Sequence, residues 1–225
     1  VISNMQKYAI IVAGGSGTRM KSDIPKQFMD IGGKPILMHT IEAYVSAFAS
    51  LKLILVLPEI QIPFWRGLCE KHKFTIKHQI VNGGNSRFQS VKNGLNAIHG
   101  NGLVAIHDGV RPFVSIEIIK ESFKVAAEKG NAVTSVPLKD SIRFIEGDNN
   151  KLVDRNQYQL IQTPQTFQIQ LIKKAFEIKE DHSFTDDASV LEHMGEKINL
   201  IEGDYKNIKI TTAEDLIMAN AILNG

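Results

Sequence analysis

A glycine-rich turn near the beginning of the chain has the residue types that bind phosphate groups. The turn has the sequence Ala-Gly-Gly-Ser-Gly-Thr-Arg-Met at residues 13–20 and follows an apolar run at residues 7–12, which predicts a buried parallel strand. Glycines in such a turn let backbone N–H groups approach phosphate oxygens, because no Cβ is in the way. Arg19 and Lys26 add two cations. The pattern predicts a polyphosphate site at which phosphorus chemistry occurs.

The spacing excludes two commoner glycine loops. A dinucleotide-binding loop needs a third glycine where Met20 stands and an acidic residue about 20 positions further on, where this chain has Leu37. A Walker A loop ends in Gly-Lys-Ser/Thr, which is absent here. What remains resembles the nucleotidyltransferase pattern Gly-x-Gly-Thr-Arg-Met followed by Pro-Lys. A tight turn with solvated charges is the alternative, and it explains the spaced Arg and Pro-Lys poorly.

Strand-like apolar runs alternate with segments of helical periodicity along most of the chain. Further strands are predicted at residues 51–57, 75–81, 103–107 and 132–136. Helices are predicted at residues 36–45, after Asn85 or Ser86, and after Ser115, with a less regular segment at 60–73. This alternation predicts a single α/β domain over residues 1–225. We expect a three-layer, Rossmann-like nucleotidyltransferase fold, mostly parallel, with ligands at the strand carboxyl ends.

Residues 138–160 break this rhythm. Two β-like arms, at residues 141–145 and 151–153, flank a Gly-Asp-Asn-Asn turn at 147–150. The segment predicts a projecting hairpin, closed by the motifs at 154–156 and 162–165. A decorated surface loop is the alternative that periodicity alone favours.

Three further positions carry groups suited to phosphate or metal binding. Asp108 follows the strand at 103–107, where a carboxylate can hold the Mg²⁺ that accompanies nucleoside triphosphates. Arg111 can offer a planar fork to a phosphate, although an Asp–Arg ion pair without a ligand is an alternative. Lys209 is expected on a short strand at 207–211, before a helix opening near Thr212. The Thr-Asp-Asp-Ala sequence at 185–188 is predicted to cap a helix.

The composition excludes several classes of protein. The chain has 225 residues, with 26 basic and 24 acidic side chains, so no general case exists for binding nucleic acid or a membrane surface. Cys69 is the only cysteine, which excludes an intrachain disulfide and a cysteine metal site. With no signal peptide or membrane-length apolar run, a cytoplasmic location is expected. Met5 is a candidate start residue.

Taken together, the motifs resemble those of the 2-C-methyl-D-erythritol 4-phosphate cytidylyltransferases, enzymes of the non-mevalonate route to isoprenoid precursors. The resemblance implies that the 4-phosphate oxygen of methylerythritol phosphate attacks the α-phosphorus of CTP and expels pyrophosphate. The second pKa of a phosphate monoester is about 6, so the nucleophile is already charged at neutral pH. No general base is required, and catalysis reduces to alignment and charge stabilisation.

The same resemblance implies roles for individual residues. The implied catalytic residues are Arg19 and Lys26, which would stabilise the transition state, and Arg155 and Lys209, which would position the acceptor phosphate. The implied CTP-binding residues are Ala13, Gly14, Gly15, Gly17, Gly84, Asn85 and Ser90. The implied acceptor-binding residues are Asp108, Arg111, Ser141 and Thr163, and Asp108 would also hold Mg²⁺. In this family the hairpin crosses to a second subunit, so a homodimer is expected, with Ser141 and Arg155 serving the partner's site.

One departure from the family pattern and two alternatives stay open at this point. Asn85 stands where the family often has Asp, so backbone carbonyls are an alternative reader of the cytosine amino group. The first alternative function is ribitol 5-phosphate cytidylyltransferase, which shares the CTP half of the reaction. The second is a regulatory nucleotide-binding module without turnover, which would need only the glycine loop. The coexistence of Arg19, Lys26, Asp108 and Lys209 argues against that module.

Overall fold

A seven-stranded sheet forms the centre of the protein, and helices cover both of its faces. The computed structural model describes residues 5–14 and 24–224. The strands in these residues are β1 (Lys7–Val12), β2 (Asp30–Ile31), β3 (Lys34–Pro35), β4 (Lys52–Leu57), β5 (Gln79–Asn82), β6 (Leu103–Asp108), β7 (Asn131–Pro137), β8 (Arg143–Glu146), β9 (Asn149–Leu152), β10 (Gln159–Gln168) and β11 (Leu200–Glu202). The helices are α1 (Ile36–Ala47), α2 (Ile62–Lys71), α3 (Arg87–Asn96), α4 (Ile116–Lys129), α5 (Ile169–Ala175), α6 (Asp187–Glu192) and α7 (Ala213–Asn224).

The sheet has the strand order β11-β7-β10-β6-β1-β4-β5. All pairings are parallel except those of β10, which runs antiparallel to both of its neighbours. Alternate residues of β1 point to opposite faces, as expected for a strand buried on both sides. Ile11 packs in the core beneath α1, α2 and α4, whereas Ile10 packs beneath α3, α5 and α6. The expected three-layer, mostly parallel α/β fold is confirmed.

The parallel register brings several chain segments to one edge of the sheet. Val12 lies opposite Val56 on one side and opposite Asp108 on the other. The carboxyl ends of β1, β4 and β6 therefore meet, as the rule for open α/β sheets predicts. The residues that follow each strand are the ones available to build a site.

The predictions at 60–73 and 75–81 were wrong in part. The less regular segment contains α2, because Trp65 is fully buried and packs against Phe28 and Phe74. The strand is shorter than expected, because β5 pairs with β4 only from Gln79 onward. Before that point His78 bonds to the Trp65 indole, with 3.0 Å between Nε2 and Nε1, instead of joining the ladder.

A hairpin projects at residues 138–160, as expected, but its details differ. β8 and β9 pair with one another in a sheet of their own, and the turn contains only Gly147 and Asp148. Gly147 has a φ of +58°, which suits glycine in a tight turn. The motif at 162–165 does not close the hairpin; it lies in β10 of the central sheet. A strand that is buried at residues 162–167 needs a neighbouring strand on both sides, which a hairpin cannot supply.

Candidate active site

A cavity of about 340 Å³ opens at the carboxyl edge of the sheet. Its wall is built from five segments of the chain: the end of β1, the turn at Lys26, the start of α3, the end of β6 and the segment that carries Lys209. The lining residues are Val12, Ala13, Gly14, Lys26, Gln27, Gly84, Asn85, Ser86, Arg87, Ser90, Asp108, Val110 and Lys209. We call this the first cavity. It brings together every residue predicted to bind CTP that the structure describes.

At the floor of the first cavity, the backbone continues the β1 strand beyond its last residue. The Ala13 N–H donates to the Val56 carbonyl at 2.9 Å, which continues the β1–β4 ladder by one position. Lys26 begins a short 3₁₀ turn over Lys26–Phe28, directly after Pro25. Pro25 is the N-cap of this turn and has a φ of −56°, close to the value to which its ring restricts it. The Lys26 side chain reaches the cavity from this turn.

Ser90 holds the glycine turn on the opposite wall. Its hydroxyl accepts from the Gly84 N–H at 3.1 Å and donates to the Ser86 carbonyl at 2.8 Å. Ser86 caps α3 by accepting from the Gln89 N–H at 3.0 Å, as the sequence indicates. A Cβ on Gly84 would lie 2.3 Å from that of Gln89, so only glycine fits. Because the Ser90 hydroxyl donates its proton to the Ser86 carbonyl, it has no proton left to donate to a ligand. Ser90 would therefore act on a ligand by holding the Gly84 turn in place.

Asp108 is the centre of a cluster of charges. Its Oδ2 lies 3.0 Å from Lys209 Nζ and 3.2 Å from Arg111 Nε, and its Oδ1 lies 3.7 Å from Arg87 Nε. Burial by itself raises the pKa of this carboxyl, but the three neighbouring cations outweigh burial and hold its pKa well below the ordinary range. Asp108 is therefore ionised at every physiological pH.

A second cavity, of about 240 Å³, lies on the other side of this cluster. Its lining residues are Arg87, Asp108, Arg111, Ile161, Gln162, Thr163, Gln165, Thr185, Asp186 and Lys209. The two cavities share three charged side chains, those of Arg87, Asp108 and Lys209. Two anionic molecules bound on either side would therefore meet at one set of charges.

Thr163 and His107 hold the backbone of Asp108 in place. The Asp108 N–H donates to Thr163 Oγ1 at 3.1 Å, and the same hydroxyl bonds to His107 Nδ1 at 3.0 Å. Because the Thr163 oxygen accepts from one partner, its proton is free to go to Nδ1. His107 Nε2 must then carry the ring proton, which it donates to the Arg111 carbonyl at 3.1 Å. The network satisfies a fully buried, neutral imidazole.

We expect His107 to make the protein less stable in mild acid. Burial lowers the pKa of His107 to about 4, whereas an unfolded histidine has a pKa of about 6.5. Between these values protons bind preferentially to the unfolded chain, so stability is fully present above about pH 6.5 and is lost as the pH falls. From pH 7.5 to 5 the loss attributable to His107 should be about 2 kcal/mol. Urea unfolding of the native protein and of His107→Asn measures it; equal pH slopes would contradict this assignment.

Arg87 is a site residue that the sequence argument missed. Its guanidinium forms a bidentate ion pair with the fully buried Asp187, with N–O distances of 2.8 and 2.6 Å. Burial alone would lower the pKa of Arg87, but the charge of Asp187 more than offsets this and raises it. One signal was available: Arg87 begins α3, and a cation at a helix N-terminus is unfavourable unless an anion compensates it.

Comparison with known proteins assigns the chain to one family. The family model for 2-C-methyl-D-erythritol 4-phosphate cytidylyltransferase matches residues 7–225. The chain belongs to this family. As a 2-C-methyl-D-erythritol 4-phosphate cytidylyltransferase it is an enzyme, and its chemistry is nucleotidyl transfer. Neither the ribitol phosphate enzyme nor a module without turnover is supported by this match.

Individual relatives agree with the family assignment. The 2-C-methyl-D-erythritol 4-phosphate cytidylyltransferase of Bacteroides fragilis is 50% identical over 219 residues, which are 97% of this chain and 100% of that protein. The enzyme of the same name from Phocaeicola vulgatus is 47% identical with the same coverage. A crystal structure of 4-diphosphocytidyl-2C-methyl-D-erythritol synthase from Anaerococcus prevotii superposes with a TM-score of 0.87 at 32% identity, covering 100% of this chain and 98% of that one.

The remaining predicted residues of this cytidylyltransferase lie in an irregular segment, on the hairpin or outside the described residues. Lys209 lies in an irregular segment, not on the expected strand, and reaches Asp108 from there. Ser141 and Arg155 line a third cavity, of about 410 Å³, on the hairpin and touch neither of the other two. Gly15, Gly17 and Arg19 lie outside the described residues.

Within residues 5–14 and 24–224, no three His, Cys, Asp or Glu side chains come close enough together to form a metal site of their own. None of the described helices combines the length and the apolar composition that a membrane span requires.

Proposed function

We propose that this enzyme transfers the cytidylyl group of CTP to the 4-phosphate of 2-C-methyl-D-erythritol 4-phosphate at the boundary between the first and second cavities. The observation that carries this proposal is the shared wall of Arg87, Asp108 and Lys209. Joining two phosphates requires both substrates to approach one point with their charges compensated. CTP would occupy the first cavity and the polyol phosphate the second.

The acceptor phosphate would act as the nucleophile without a protein base. Its second pKa of about 6 leaves it doubly charged at neutral pH. His107, the histidine beside Asp108, has both ring nitrogens in hydrogen bonds and stays neutral, so it is unsuited to take a proton. Lys209 and Arg111 would hold the acceptor phosphate. Lys26 would stabilise the charge that develops on the α-phosphate and on the leaving pyrophosphate.

Asp108 suits Mg²⁺ as part of a site that the nucleotide completes. Magnesium is commonly held by one or two carboxylates together with substrate phosphates, and it keeps several waters. Asp108 supplies one ionised carboxylate that lines both cavities, and its Oδ1 lies 3.7 Å from Arg87 Nε. When bound, Mg²⁺ would neutralise part of the triphosphate charge.

Pyrophosphate release tests the proposed function directly. The enzyme is incubated with CTP and either 2-C-methyl-D-erythritol 4-phosphate or ribitol 5-phosphate, and kcat/KM is measured for each acceptor. We expect turnover with the first acceptor and a value at least about tenfold lower with the second, which lacks the branching methyl group. Faster turnover with ribitol 5-phosphate would assign the alternative acceptor, and release with neither would support a binding module.

The enzyme should prefer CTP over UTP by at least about tenfold in kcat/KM, because exchanging an amino group for a carbonyl leaves buried polar groups unpaired. A carboxamide can present either a donor or an acceptor, so Asn85 cannot enforce this choice by polarity. We therefore expect the turn at Gly84 to read the base through its backbone. The Asn85→Ala variant should keep the preference for CTP; equal use of CTP and UTP by that variant would assign the reading to Asn85.

We also propose a homodimer in which each hairpin completes the partner's acceptor site. The large apolar side chains on and beside the hairpin are exposed: Phe144 47%, Ile145 66%, Leu152 74% and Leu160 51%. A two-stranded hairpin alone is marginally stable in water, so this apolar surface needs a second protein surface to pack against. Two-fold dimers are the commonest oligomers. Ser141 and Arg155, which lie away from Asp108 in their own chain, would then reach the partner's acceptor.

Mixing two inactive variants tests this arrangement. Arg155→Ala and Lys26→Ala subunits are each expected to be inactive as pure dimers. After random exchange half of the dimers are mixed, and one of the two sites in each mixed dimer has both side chains intact. Activity should return to roughly a quarter of the native value. No recovery, with subunit exchange demonstrated by mass, would place Arg155 in its own chain's site.

A cytoplasmic location completes the proposal, on the evidence of Cys69. Burial raises the pKa of the Cys69 thiol to about 11, so it is protonated and unreactive at neutral pH. As the only cysteine it forms no disulfide within the chain. Both properties suit a reducing compartment.

A further inference from the structure

Gln27 has a combination of features that packing alone does not explain. It is fully buried, it lines the first cavity, and it follows Lys26 in the chain. Its Nε2 donates to the Ala13 carbonyl at 2.8 Å and to Gln61 Oε1 at 2.6 Å. Its own Oε1 is buried without a hydrogen-bond partner among the described residues. A buried acceptor that is left unpaired is costly, and methionine would fill the same space without that cost.

The orientation of the Gln27 carboxamide is set by its neighbours. The Ala13 carbonyl can only accept a hydrogen bond, so the amide nitrogen of Gln27 must face it. Both amide protons are then used, one on Ala13 and one on Gln61. Among the described residues, this leaves the Oε1 of Gln27 without a hydrogen-bond partner. The amide of Gln27 is thus used to tie Ala13 and Gln61 together.

The bridge made by Gln27 connects three separate segments of the chain. Ala13 follows β1 and begins the glycine-rich turn. Gln61 ends the short turn Glu59–Gln61 that follows β4. Gln27 itself lies in the turn that carries Lys26. The Ala13 N–H is already fixed by Val56, so its peptide is held from both sides.

We propose that Gln27 is a positioning residue: it fixes the Lys26 turn relative to the start of the phosphate-binding turn, and so sets where the Lys26 ammonium stands when CTP is bound. This inference rests on the proposed function, because it assumes that Lys26 acts on CTP. In this role Gln27 acts through Lys26, by means of its two hydrogen bonds. Its effect is on the rate of the reaction, since an error of about 1 Å in the position of a charge-stabilising group can cost a hundredfold in rate.

The test compares isosteric variants of this bridge with a matched variant elsewhere. Gln27→Met removes both hydrogen bonds, and Gln61→Met removes one partner. Asn131→Leu is the control, because Asn131 is also buried and also joins two segments, by donating to the Lys197 carbonyl and accepting from the Asn199 N–H, each at 2.8 Å. Asn131 lines none of the three cavities described above. Melting temperature, kcat and the KM for CTP are measured for each variant.

We expect Gln27→Met to lower kcat about tenfold to a hundredfold with a much smaller change in the KM for CTP, and Gln61→Met to lower kcat about threefold to tenfold. Asn131→Leu should lower the melting temperature and leave kcat unchanged. A native kcat in folded Gln27→Met overturns the proposal, as does an equal loss of kcat in Asn131→Leu. If Gln27→Met does not fold, a native kcat in Gln61→Met overturns it. Absence of turnover in the native enzyme would instead refute the proposed function.

Discussion

Replacing Lys26 by alanine is expected to lower kcat by a factor of about 10²–10³ and to leave the fold intact. The cation would meet the charge that grows on the α-phosphate and on the departing pyrophosphate, and this charge is greater in the transition state than in bound CTP. An interaction of that kind contributes to kcat more than to binding. Lys26 lines a cavity and does not belong to the apolar core, so its removal leaves no void in the protein interior.

Lys34→Ala is the matched control for this measurement. Lys34 is also a partly exposed lysine close to the same turn, but it pairs with Glu42 and lines neither cavity. It should keep the native kcat. Steady-state kinetics together with circular dichroism separate a loss of chemistry from a loss of folding. A folded Lys26→Ala enzyme with near-native kcat would mean that this lysine contributes only to binding.

Asp108→Asn is expected to lower kcat about a hundredfold or more and to raise the Mg²⁺ concentration needed for half-maximal rate. Asparagine keeps the shape of the side chain and removes the charge that compensates Arg111 and Lys209. It also removes the carboxylate proposed to hold Mg²⁺ beside the triphosphate. Loss of one partner from a buried set of charges should destabilise the fold as well, by about 3–5 kcal/mol.

Asp187→Asn separates these effects, because it removes a buried carboxylate from the opposite side of Arg87 and lines neither cavity. We expect it to destabilise the fold in the same way while leaving the Mg²⁺ requirement unchanged. Chelation with EDTA should abolish turnover of the native enzyme, and added Mg²⁺ should restore it. An unchanged Mg²⁺ requirement in Asp108→Asn would remove Asp108 from the proposed metal site.

Much of the fold was predictable because it depends on local patterns. The apolar run at 7–12 is β1, and the serines at 86 and 115 cap α3 and α4 by accepting from the backbone three residues on. These features need only neighbouring residues. No local pattern predicts the helix within 60–73, because its one fully buried side chain, Trp65, packs against Phe28 and Phe74, which lie outside that segment.

The candidate site also has some residues that local patterns predict and others that only the tertiary structure identifies. Phosphate chemistry is predicted by the residue types and the spacing of the glycine-rich turn, Lys26, Asp108 and Arg111. The resemblance to the family rested on these separate motifs and on their order along the chain. The role of Arg87 could not be predicted from local patterns, because its partner Asp187 is 100 residues away in the chain. Gln27 directly follows the Pro-Lys pair, but nothing in the sequence indicates that its amide bonds to Ala13 and Gln61.

The sequence by itself therefore determined the type of fold, the family and most of the side chains at the candidate site. It could do so because periodicity, capping and loop chemistry act over a few residues. The tertiary structure alone decided which charges meet, that Lys209 reaches Asp108 from an irregular segment, and that Ser141 and Arg155 lie apart from them. These facts depend on the order of strands in the sheet and on which helices share a face. Contacts of that kind join residues far apart in the chain, and no local pattern specifies them.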